Sequence, residues 1–577
     1  MNHKQIVSLL FLGLMVFCGS MSATPRDKYS KSGVVTYKAI VNGEEEKDMP
    51  AMFVEYAMNS VKIWRNSPDV KQLIPGFAHA ASYVDYAGRN ILFSVNYDDG
   101  DAYYAETSFD KLPKVELTEE TRKILGYTCK KAKVVINSNQ IEIWYTEKAG
   151  LQGSPMPTVG EVPGLVLSVI RNGSYETVAS DIKINRKKAK ANLLPANPGV
   201  LVDRNALGDI KREKMVITTR VFDQEQLCWG KEKTPVGEPE LGKTYHFAGG
   251  TLIVKKVKLP VIPDHYSLFA EITQYSNGDA YDRTGSVFVI PTNREQSFWD
   301  GLRDGMNTLP IYYDNDSLDY QGVTLTDNYE PLVELVRFFT PFGIRHFNDR
   351  VKIKNVEWED STFYKQDVTA LKPYLQDEVL VGAFIGNYDK GGHIVSLDIK
   401  AYPGSYEWQT ENEKKSFSLP LFNTCNVMEM GGQRYGTMFK QDSLTVTFEV
   451  PEGAKNLQLR YITTGHGGWG GGDEFNPKTN EIFIDGDCVF NFTPWRTDCA
   501  THRKYNPVSG NFWNGESSSD LSRSGWCPGT ATNPELIPLP VLKPGKHTLK
   551  VAIPLGAPAG NSFSAWSISG ILLGEME

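Results

Sequence analysis

The sequence predicts a mainly β protein built from antiparallel β-sandwich domains. Its apolar segments are short, rich in β-branched and aromatic residues, and bounded by turn residues, which is typical of sandwich strands. The chain carries 51 Gly and 32 Pro, which suit a fold with many turns. Helical patterns are few, and we expect short helical turns only at Thr118 to Ile124 and at Asp367 to Leu375.

Nine segments carry the strand pattern most clearly. Several of them, such as LTVTFEV and NLQLRYI, alternate between apolar and polar residues, and a period of two predicts strands buried on one face. The predicted strands, in chain order, are Val134–Ile136, Ile141–Tyr145, Thr251–Val261, Val287–Ile290, His393–Ala401, Leu444–Val450, Leu457–Ile462, Ile482–Ile484 and Leu549–Ile553.

Length and two aperiodic stretches suggest the domain organisation. At about 100–200 residues per domain, 577 residues predict three or four domains. Residues 185–213 are basic and then contain Pro and Gly, and residues 401–415 hold a Pro-Gly turn and a charged run. The predicted division is a signal peptide over 1–23, an N-terminal accessory domain over 24–190, a linker over 191–237, and two β domains over 238–403 and 408–577.

The N-terminus reads as a secretory signal peptide. Lys4 is followed by a short apolar run, Ile6 to Phe17, and by small residues up to Ala23, as such signals require. The run is too short to span a bilayer, and bulky residues before Cys18 disfavour a lipoprotein anchor. No later segment has the pattern of a membrane span. We therefore expect an exported protein, with the periplasm, the outer surface and the medium left open.

Composition and missing motifs exclude several functions. A net charge of −8 does not favour a nucleic-acid-binding face. The signatures HExxH, GxSxG, GxxxxGK[ST] and CxxC do not occur, and 9 His form no tight cluster, so we expect no metal and no cofactor. Export permits disulfides, and a bridge between Cys499 and Cys527 would stabilise the Gly-, Ser- and Asn-rich loop that they flank.

Three segments could carry chemistry. In the first, Gly278 to Ile290, Asp279, Tyr281, Asp282 and Arg283 lead into a strand, and a nearby cation favours an ionised carboxylate. The alternative is a surface salt bridge in a hairpin turn.

The second segment, Thr464 to Phe475, is rich in glycine, which lets backbone approach a ligand closely. It carries His466, Trp469, which could stack on a sugar ring, and the pair Asp473-Glu474. The alternative is a Gly-rich loop with a solvated acidic end. The third segment presents Arg523 and Trp526 from the cysteine-flanked loop, and its alternative is structural stapling.

The N-terminal region resembles a family of exported Bacteroidetes proteins that is named for a GLPGLI-like motif. The matching residues run from Ile124 to Ala132, from Ile143 to Thr146 and from Val162 to Leu167. That resemblance implies an accessory domain and adds no active site.

In this order, the chemistry-bearing segments resemble the secreted bacterial peptide-N-glycosidase F family over about residues 240–577, with a long insertion at 293–328. Arg523 to Gly529 is the most specific match. The other matching segments are Asp279 to Val289, Arg337 to Phe342, Asp367 to Thr369 and Gly465 to Phe475.

The resemblance implies two antiparallel jelly rolls side by side, with the site in the cleft between them. Asp282 would be the essential aspartate, Glu474 the catalytic glutamate, and Cys499 the disulfide partner of Cys527. The residues that would bind substrate are Asp279, Tyr281, Arg283, His466, Trp469, Asp473, Arg523 and Trp526.

One departure from the family pattern concerns a third acidic residue. At its place stands Phe384 or Gly386, and Asn387 or Asp389 are the nearest candidates to substitute for it. The expected reaction is hydrolysis of the amide between Asn and the first N-acetylglucosamine of a glycoprotein or glycopeptide by a monomer. Asp282 would act as base or nucleophile, held ionised by Arg283, and Arg523 would polarise the amide oxygen. The alternatives are a glycoside hydrolase and a glycan-binding protein without activity.

Overall fold

We describe the protein from a computed structural model. The structure describes residues 31–47, 49–65, 76–185, 191–232, 237–313, 319–404, 415–433, 438–439, 443–468, 471–556 and 564–576. The predicted signal peptide lies outside the described residues. The chain divides into two compact units, residues 1–215 and 216–577. No helix in these described ranges is long and apolar enough to cross a bilayer.

Unit 1 is built on a single sheet that contains thirteen strands within the described residues. The strand order is β13-β7-β6-β5-β4-β3-β1-β12-β11-β10-β9-β8, with β2 paired to β1. The strands are β1 (Ser32–Val41), β2 (Glu44–Glu45), β3 (Met52–Ala57), β4 (Ser60–Arg65), β5 (His79–Asp85), β6 (Asn90–Asn96), β7 (Ala102–Ser108), β8 (Glu116–Ile124), β9 (Tyr127–Ile136), β10 (Asn139–Thr146), β11 (Leu165–Arg171), β12 (Tyr175–Asn185) and β13 (Val200–Leu201).

The predicted linker over 191–237 contains regular structure. Helix α1 (Arg204–Met215) begins after Asp203, whose carboxylate accepts from the backbone N–H groups of the first turn at 2.8 and 3.0 Å. Leu207 anchors this helix in the core of unit 1 beside Val95. Strand β14 (Ile217–Leu227) then joins unit 2. Two register shifts interrupt β14, which removes the alternation that would have revealed it in the sequence.

The first sandwich of unit 2 has one sheet in the order β14-β24-β17-β22 and one in the order β15-β16-β23-β18-β21-β30. Helix α2 (Phe298–Asp304) and the pair β19 (Ile311–Tyr313) and β20 (Asp319–Gln321) lie within the predicted insertion. The sandwich strands are β15 (Thr244–Phe247), β16 (Leu252–Lys258), β17 (Tyr266–Ser276), β18 (Thr284–Ile290), β21 (Val333–Phe339), β22 (Thr362–Asp367), β23 (Glu378–Ile385), β24 (His393–Pro403) and β30 (Ala531–Thr532).

The second sandwich pairs the sheet β25-β33-β27-β31 with the sheet β26-β32-β28-β29. Its core holds Leu459, Ile482, Val551 and Trp566, all buried. The strands are β25 (Lys415–Asn423), β26 (Leu444–Val450), β27 (Ala454–His466), β28 (Asn480–Ile484), β29 (Asp487–Phe492), β31 (Glu535–Pro538), β32 (Gly545–Ala552) and β33 (Ala565–Met576).

Mainly β architecture is therefore confirmed, and each of the nine predicted strands falls on an observed one. Of the two predicted helical segments, Asp367 to Leu375 contains a short 3₁₀ helix, Thr369–Tyr374. The other prediction is wrong, because Thr118 to Ile124 lies in edge strand β8. Its charged residues suit a helix, but an edge strand exposed to water accepts them equally well.

A buried ion pair joins the two sandwiches. Glu334 and Arg337, both on β21 and fully buried, bond to each other at 2.8 and 3.0 Å. From the second sandwich, the Ser569 hydroxyl donates to Glu334 at 2.5 Å, and the Ser567 carbonyl accepts from Arg337 at 2.5 Å. Arg460 on β27 donates to the Glu334 carbonyl at 2.9 Å. This network fixes how the sheets of the two sandwiches face each other.

Replacing Arg337 with Met should destabilise the protein strongly, because it leaves the buried Glu334 carboxylate without its cation. We expect a loss of about 3–5 kcal/mol in the free energy of unfolding, measured by urea denaturation. Arg220→Met is the matched control, since Arg220 is half exposed in its pair with Asp398 and should lose only about 0–1 kcal/mol. Equal losses in the two variants would contradict the assigned role of the buried pair.

Candidate active site

Arg523 joins Asp282 and Glu474 in one cluster. Asp282 lies between β17 and β18, in the first sandwich, and Glu474 follows β27, in the second. Arg523 donates from Nε to Glu474 at 2.9 Å and from Nη2 to Asp282 at 3.1 Å. The arginine side chain is fully buried, whereas the carboxylate side chains keep 15–16% of their surface exposed. Two carboxylates from different sandwiches are thus held side by side, mostly buried but each with a small part of its surface exposed.

The surroundings of Arg523 fix its position. Its Nη1 donates to the Ser518 carbonyl at 2.5 Å, and its Nη2 donates to the Ser518 hydroxyl at 3.0 Å. The guanidinium also lies against the rings of Phe475 and Trp526, at 4.9 and 4.8 Å. Because every nitrogen of this buried group is engaged, Arg523 positions the two carboxylates. The structure does not present it to a substrate amide oxygen, contrary to our expectation.

A disulfide closes the loop that carries Arg523. Cys499 and Cys527 are bonded, as expected. Backbone hydrogen bonds between Arg496 and Arg523, at 2.8 and 3.0 Å, tie the loop to the segment before Cys499. Each of these links limits the freedom of the arginine backbone.

Arg283 has a different partner from the one we expected. Its guanidinium bonds to Asp279 at 2.6 and 3.2 Å, so it is not the cation paired with Asp282. His393 Nε2 also contacts Asp279, at 3.2 Å. Burial opposes ionisation of Asp279, but the hydrogen bonds from His393 and Arg283 outweigh it and lower its pKa to about 2. Asp279 is only 3% exposed, so it positions Arg283 rather than meeting a substrate.

Tyr281, His466 and Trp469, which we also predicted to bind substrate, differ in their exposure to solvent. Tyr281 is 60% exposed and lies 4.9 Å from the Arg283 guanidinium, so its ring is available to a ligand. His466 is half-buried and shares a 2.9 Å hydrogen bond with Thr464, and burial lowers its pKa to about 3. It is therefore neutral at physiological pH. Trp469 lies outside the described residues.

Asp473 and Trp526 are buried and make structural contacts. The indole N–H of Trp566 donates to Asp473 at 2.9 Å. The Trp526 ring stacks on Phe339 at 4.1 Å, and its N–H donates to the Gly465 carbonyl at 2.9 Å. Neither presents a free face to a ligand, so the expectation that they contact substrate is not met in this structure.

A carboxylate from elsewhere in the chain lies beside the position at which we expected a third acid. Phe384 is in the core, and the side chains of Asn387 and Asp389 are engaged by local backbone groups. A Cβ on Gly386, however, would lie 3.6 Å from Oε2 of Glu429. Sequence reasoning missed Glu429 because it follows β25, over forty residues after Gly386 in the chain, where no local motif marks it.

Desolvation sets the charge state of the carboxylate pair. Burial raises the pKa of Asp282 to about 7; Arg523 opposes the shift and the charge of Glu474 adds to it. Burial also raises the pKa of Glu474, against Arg523. Two interacting carboxyls of this kind lose their protons in separate steps. The pair can therefore hold one proton near neutral pH, which provides a general acid and a general base together.

Asp282→Asn should stabilise the protein more at pH 8.5 than at pH 5. The pKa of Asp282 is higher in the folded state than the ordinary value of 3.8, so the folded state binds the proton more tightly and stability falls as pH rises through about 7. Asn does not titrate. The melting temperature of the variant minus that of wild type should become more positive with pH, whereas the exposed Asp349→Asn control should show a constant difference. A difference for Asp282→Asn that is flat in pH would contradict the raised pKa.

Profiles of known protein families match residues in both units. The family profiles "Peptide-N-glycosidase F, N terminal" and "Peptide-N-glycosidase F, C terminal" match residues 218–401 and 434–573. A third, "N-glycanase peptide, N-terminal domain", matches residues 101–206. The GLPGLI-like resemblance stays a prediction. The comparison with curated protein sequences finds no match.

Among solved structures, PNGF-II in one crystal form is 42% identical over 95% of this chain and 100% of its own, with a TM-score of 0.81. In a second form, the coverage is 95% and 98% and the TM-score is 0.76. PNGase F from Flavobacterium meningosepticum, described as a glycosylasparaginase, is 15% identical over 63% of this chain and 96% of its own, with a TM-score of 0.42. The matched profiles and the 42% identity to PNGF-II over nearly the whole chain show that this chain belongs to the peptide-N-glycosidase F family.

Proposed function

We propose that the protein hydrolyses the amide bond between an asparagine side chain and the first N-acetylglucosamine of an N-linked glycan. The observation that carries the proposal is the buried Arg523, which holds Asp282 and Glu474 together while both side chains keep 15–16% of their surface exposed. Membership of the peptide-N-glycosidase F family supports this choice of substrate. The products would be an aspartyl peptide and a glycosylamine, which then loses ammonia in water.

The proposed reaction needs a base for water and a proton for the leaving amine. Ionised Asp282 takes a proton from a water molecule, whose oxygen bonds to the amide carbon. Glu474 orients this water and stabilises the transition state. As the C–N bond breaks, the proton passes to the departing nitrogen. Arg523 acts by fixing the two carboxylates, since its own donors are already used.

We also propose that the protein works outside the cytoplasm. The Cys499–Cys527 disulfide supports this location, because oxidising compartments favour such bonds. The apolar N-terminal run is the sequence feature that agrees with it.

Asp282→Asn should abolish glycan release. General acid–base groups contribute about 10²–10⁴-fold to rate, so we expect at least about a hundredfold loss in kcat with the fold intact. The assay is mass spectrometry of a defined N-glycopeptide after incubation in heavy-oxygen water, with Asp349→Asn as the control. Wild type should convert Asn to labelled Asp and release the intact glycan.

Other results of that assay identify the rivals. A peptide that still bears one N-acetylglucosamine would indicate a glycoside hydrolase. Binding without cleavage by wild type would indicate a glycan-binding protein. Full activity of Asp282→Asn would overturn the role assigned to Asp282.

The activity of wild type should rise through about pH 7 on the acid side, because Asp282 must be ionised to act and its pKa is raised to about 7. Glu474→Gln removes a negative charge that contributes to this shift. The acid limb of its residual kcat/KM should therefore move to lower pH, while the exposed Glu452→Gln control keeps the wild-type profile. An acid limb near pH 4 in wild type would contradict the assignment.

A further inference from the structure

The Thr340 hydroxyl bonds to the backbone on both sides of Asp282. It donates to the carbonyl of Tyr281 at 3.0 Å and accepts from the N–H of Arg283 at 2.8 Å. These two groups belong to the two peptide units that Asp282 joins. Because the soft backbone angles between those units are φ and ψ of Asp282, one oxygen holds both angles in place. The Thr340 N–H adds a third bond, to the carbonyl of Arg283 at 2.9 Å.

Thr340 is itself held firmly. It directly follows strand β21 and is fully buried. It precedes Pro341, and a residue before proline is restricted to extended backbone. Its side chain is branched at Cβ, which leaves it few orientations. The hydroxyl therefore reaches the Asp282 segment from a rigid strand end, and its one donor and one of its acceptor positions are used there.

The same strand end is bonded to the chain just beyond the Arg523 loop. Phe339, the residue before Thr340, donates its N–H to the carbonyl of Thr530 at 2.9 Å. Thr530 comes shortly after the disulfide that closes the loop. Two neighbouring residues of one strand end therefore bond to the Asp282 segment and to the base of the Arg523 loop, which fixes these two parts of the site relative to each other.

We propose that Thr340 is a positioning residue, whose hydroxyl fixes the backbone of Asp282 so that its carboxylate stays bonded to Arg523 and beside Glu474. This inference rests on the proposed function. Because Thr340 is fully buried, it acts through Asp282 and does not touch substrate. The bond from Arg523, at 3.1 Å, engages one carboxylate oxygen, and a single bond lets the carboxylate turn. A fixed backbone limits that motion, and a displacement of about 1 Å can cost about a hundredfold in rate.

The test compares Thr340→Val, which removes the hydroxyl but keeps the branched shape, with Thr340→Ser, which keeps the hydroxyl. We expect Thr340→Val to lower kcat for an N-glycopeptide about 10- to 100-fold with KM unchanged, and Thr340→Ser to retain most of kcat. Thr369→Val is the matched control. The Thr369 hydroxyl also accepts from a backbone N–H and donates to a carbonyl, both of Leu268. Leu268 lies near the start of β17, whereas Asp282 follows the end of that strand.

Wild-type kcat in Thr340→Val, an equal loss of kcat in Thr340→Ser or Thr369→Val, or an effect on KM alone would overturn the inference. If Thr340→Val does not fold, Thr340→Ala takes its place. The smaller side chain leaves room for a water molecule, which can bond to the two backbone groups without fixing them, so the same fall in kcat is expected.

A readout that needs no activity separates this inference from the proposed function. Burial is the largest cause of the raised pKa of Asp282, which Arg523 opposes and Glu474 increases. We would measure how Asp282→Asn changes the melting temperature against pH, in wild type and in the Thr340→Val background. A carboxylate that is no longer held in place gains water, so the midpoint of this change should fall below about pH 7 in the Thr340→Val background.

The same measurement in the Thr340→Ser background should keep the wild-type midpoint. A midpoint that moves only with loss of the hydroxyl supports Thr340 even if wild type does not cleave the glycopeptide, in which case only the proposed activity fails. A midpoint that is unchanged in the Thr340→Val background would overturn the inference.

Discussion

The relative position of the two sandwiches depends on the fully buried ion pair between Glu334 and Arg337. Burying two charges carries a large desolvation cost, which only well-aligned hydrogen bonds can offset. Here Ser569 and Ser567 of the second sandwich supply such bonds. Apolar packing tolerates small slides between sheets, but a buried ion pair tolerates them poorly, because displaced partners would leave unpaired charge. The site needs this fixed relationship, since each sandwich supplies one carboxylate.

Arg523 forms a second buried ion-pair cluster between the two sandwiches. It is held by Ser518 and by the loop that the disulfide closes, and it spends its donors on Asp282 and Glu474. The positions of the carboxylates are thereby fixed without a ligand, as the proposed reaction requires, because a preorganised polar environment lowers a reaction barrier. Partial burial then raises the pKa of both acids against the pull of the arginine. Burial of these acids lowers the stability of the folded state, and the raised pKa allows the pair to keep a proton near neutral pH.

The fold was predictable where local pattern decides structure. Strand β26 alternates strictly and was located to the residue, because each of its side chains faces either core or solvent. Strand β14 was missed, because its irregular pairing with β24 breaks the period. Strand β8 was mistaken for helix, because the charged residues of an edge strand resemble those of an exposed helical turn.

The sequence by itself determined the family, the mainly β class and the Cys499–Cys527 pairing, and it singled out Asp282 and Glu474 as candidates, because these are encoded in short motifs and their order. Tertiary structure alone decided which cation each acid meets. Arg283 is next to Asp282 in sequence yet bonds to Asp279, whereas Arg523 reaches Asp282 across 241 residues. It also decided that Glu429 lies beside Gly386. Ion pairs form between side chains that the folded backbone brings within about 4 Å, and adjacency in the sequence does not by itself bring two charged groups that close.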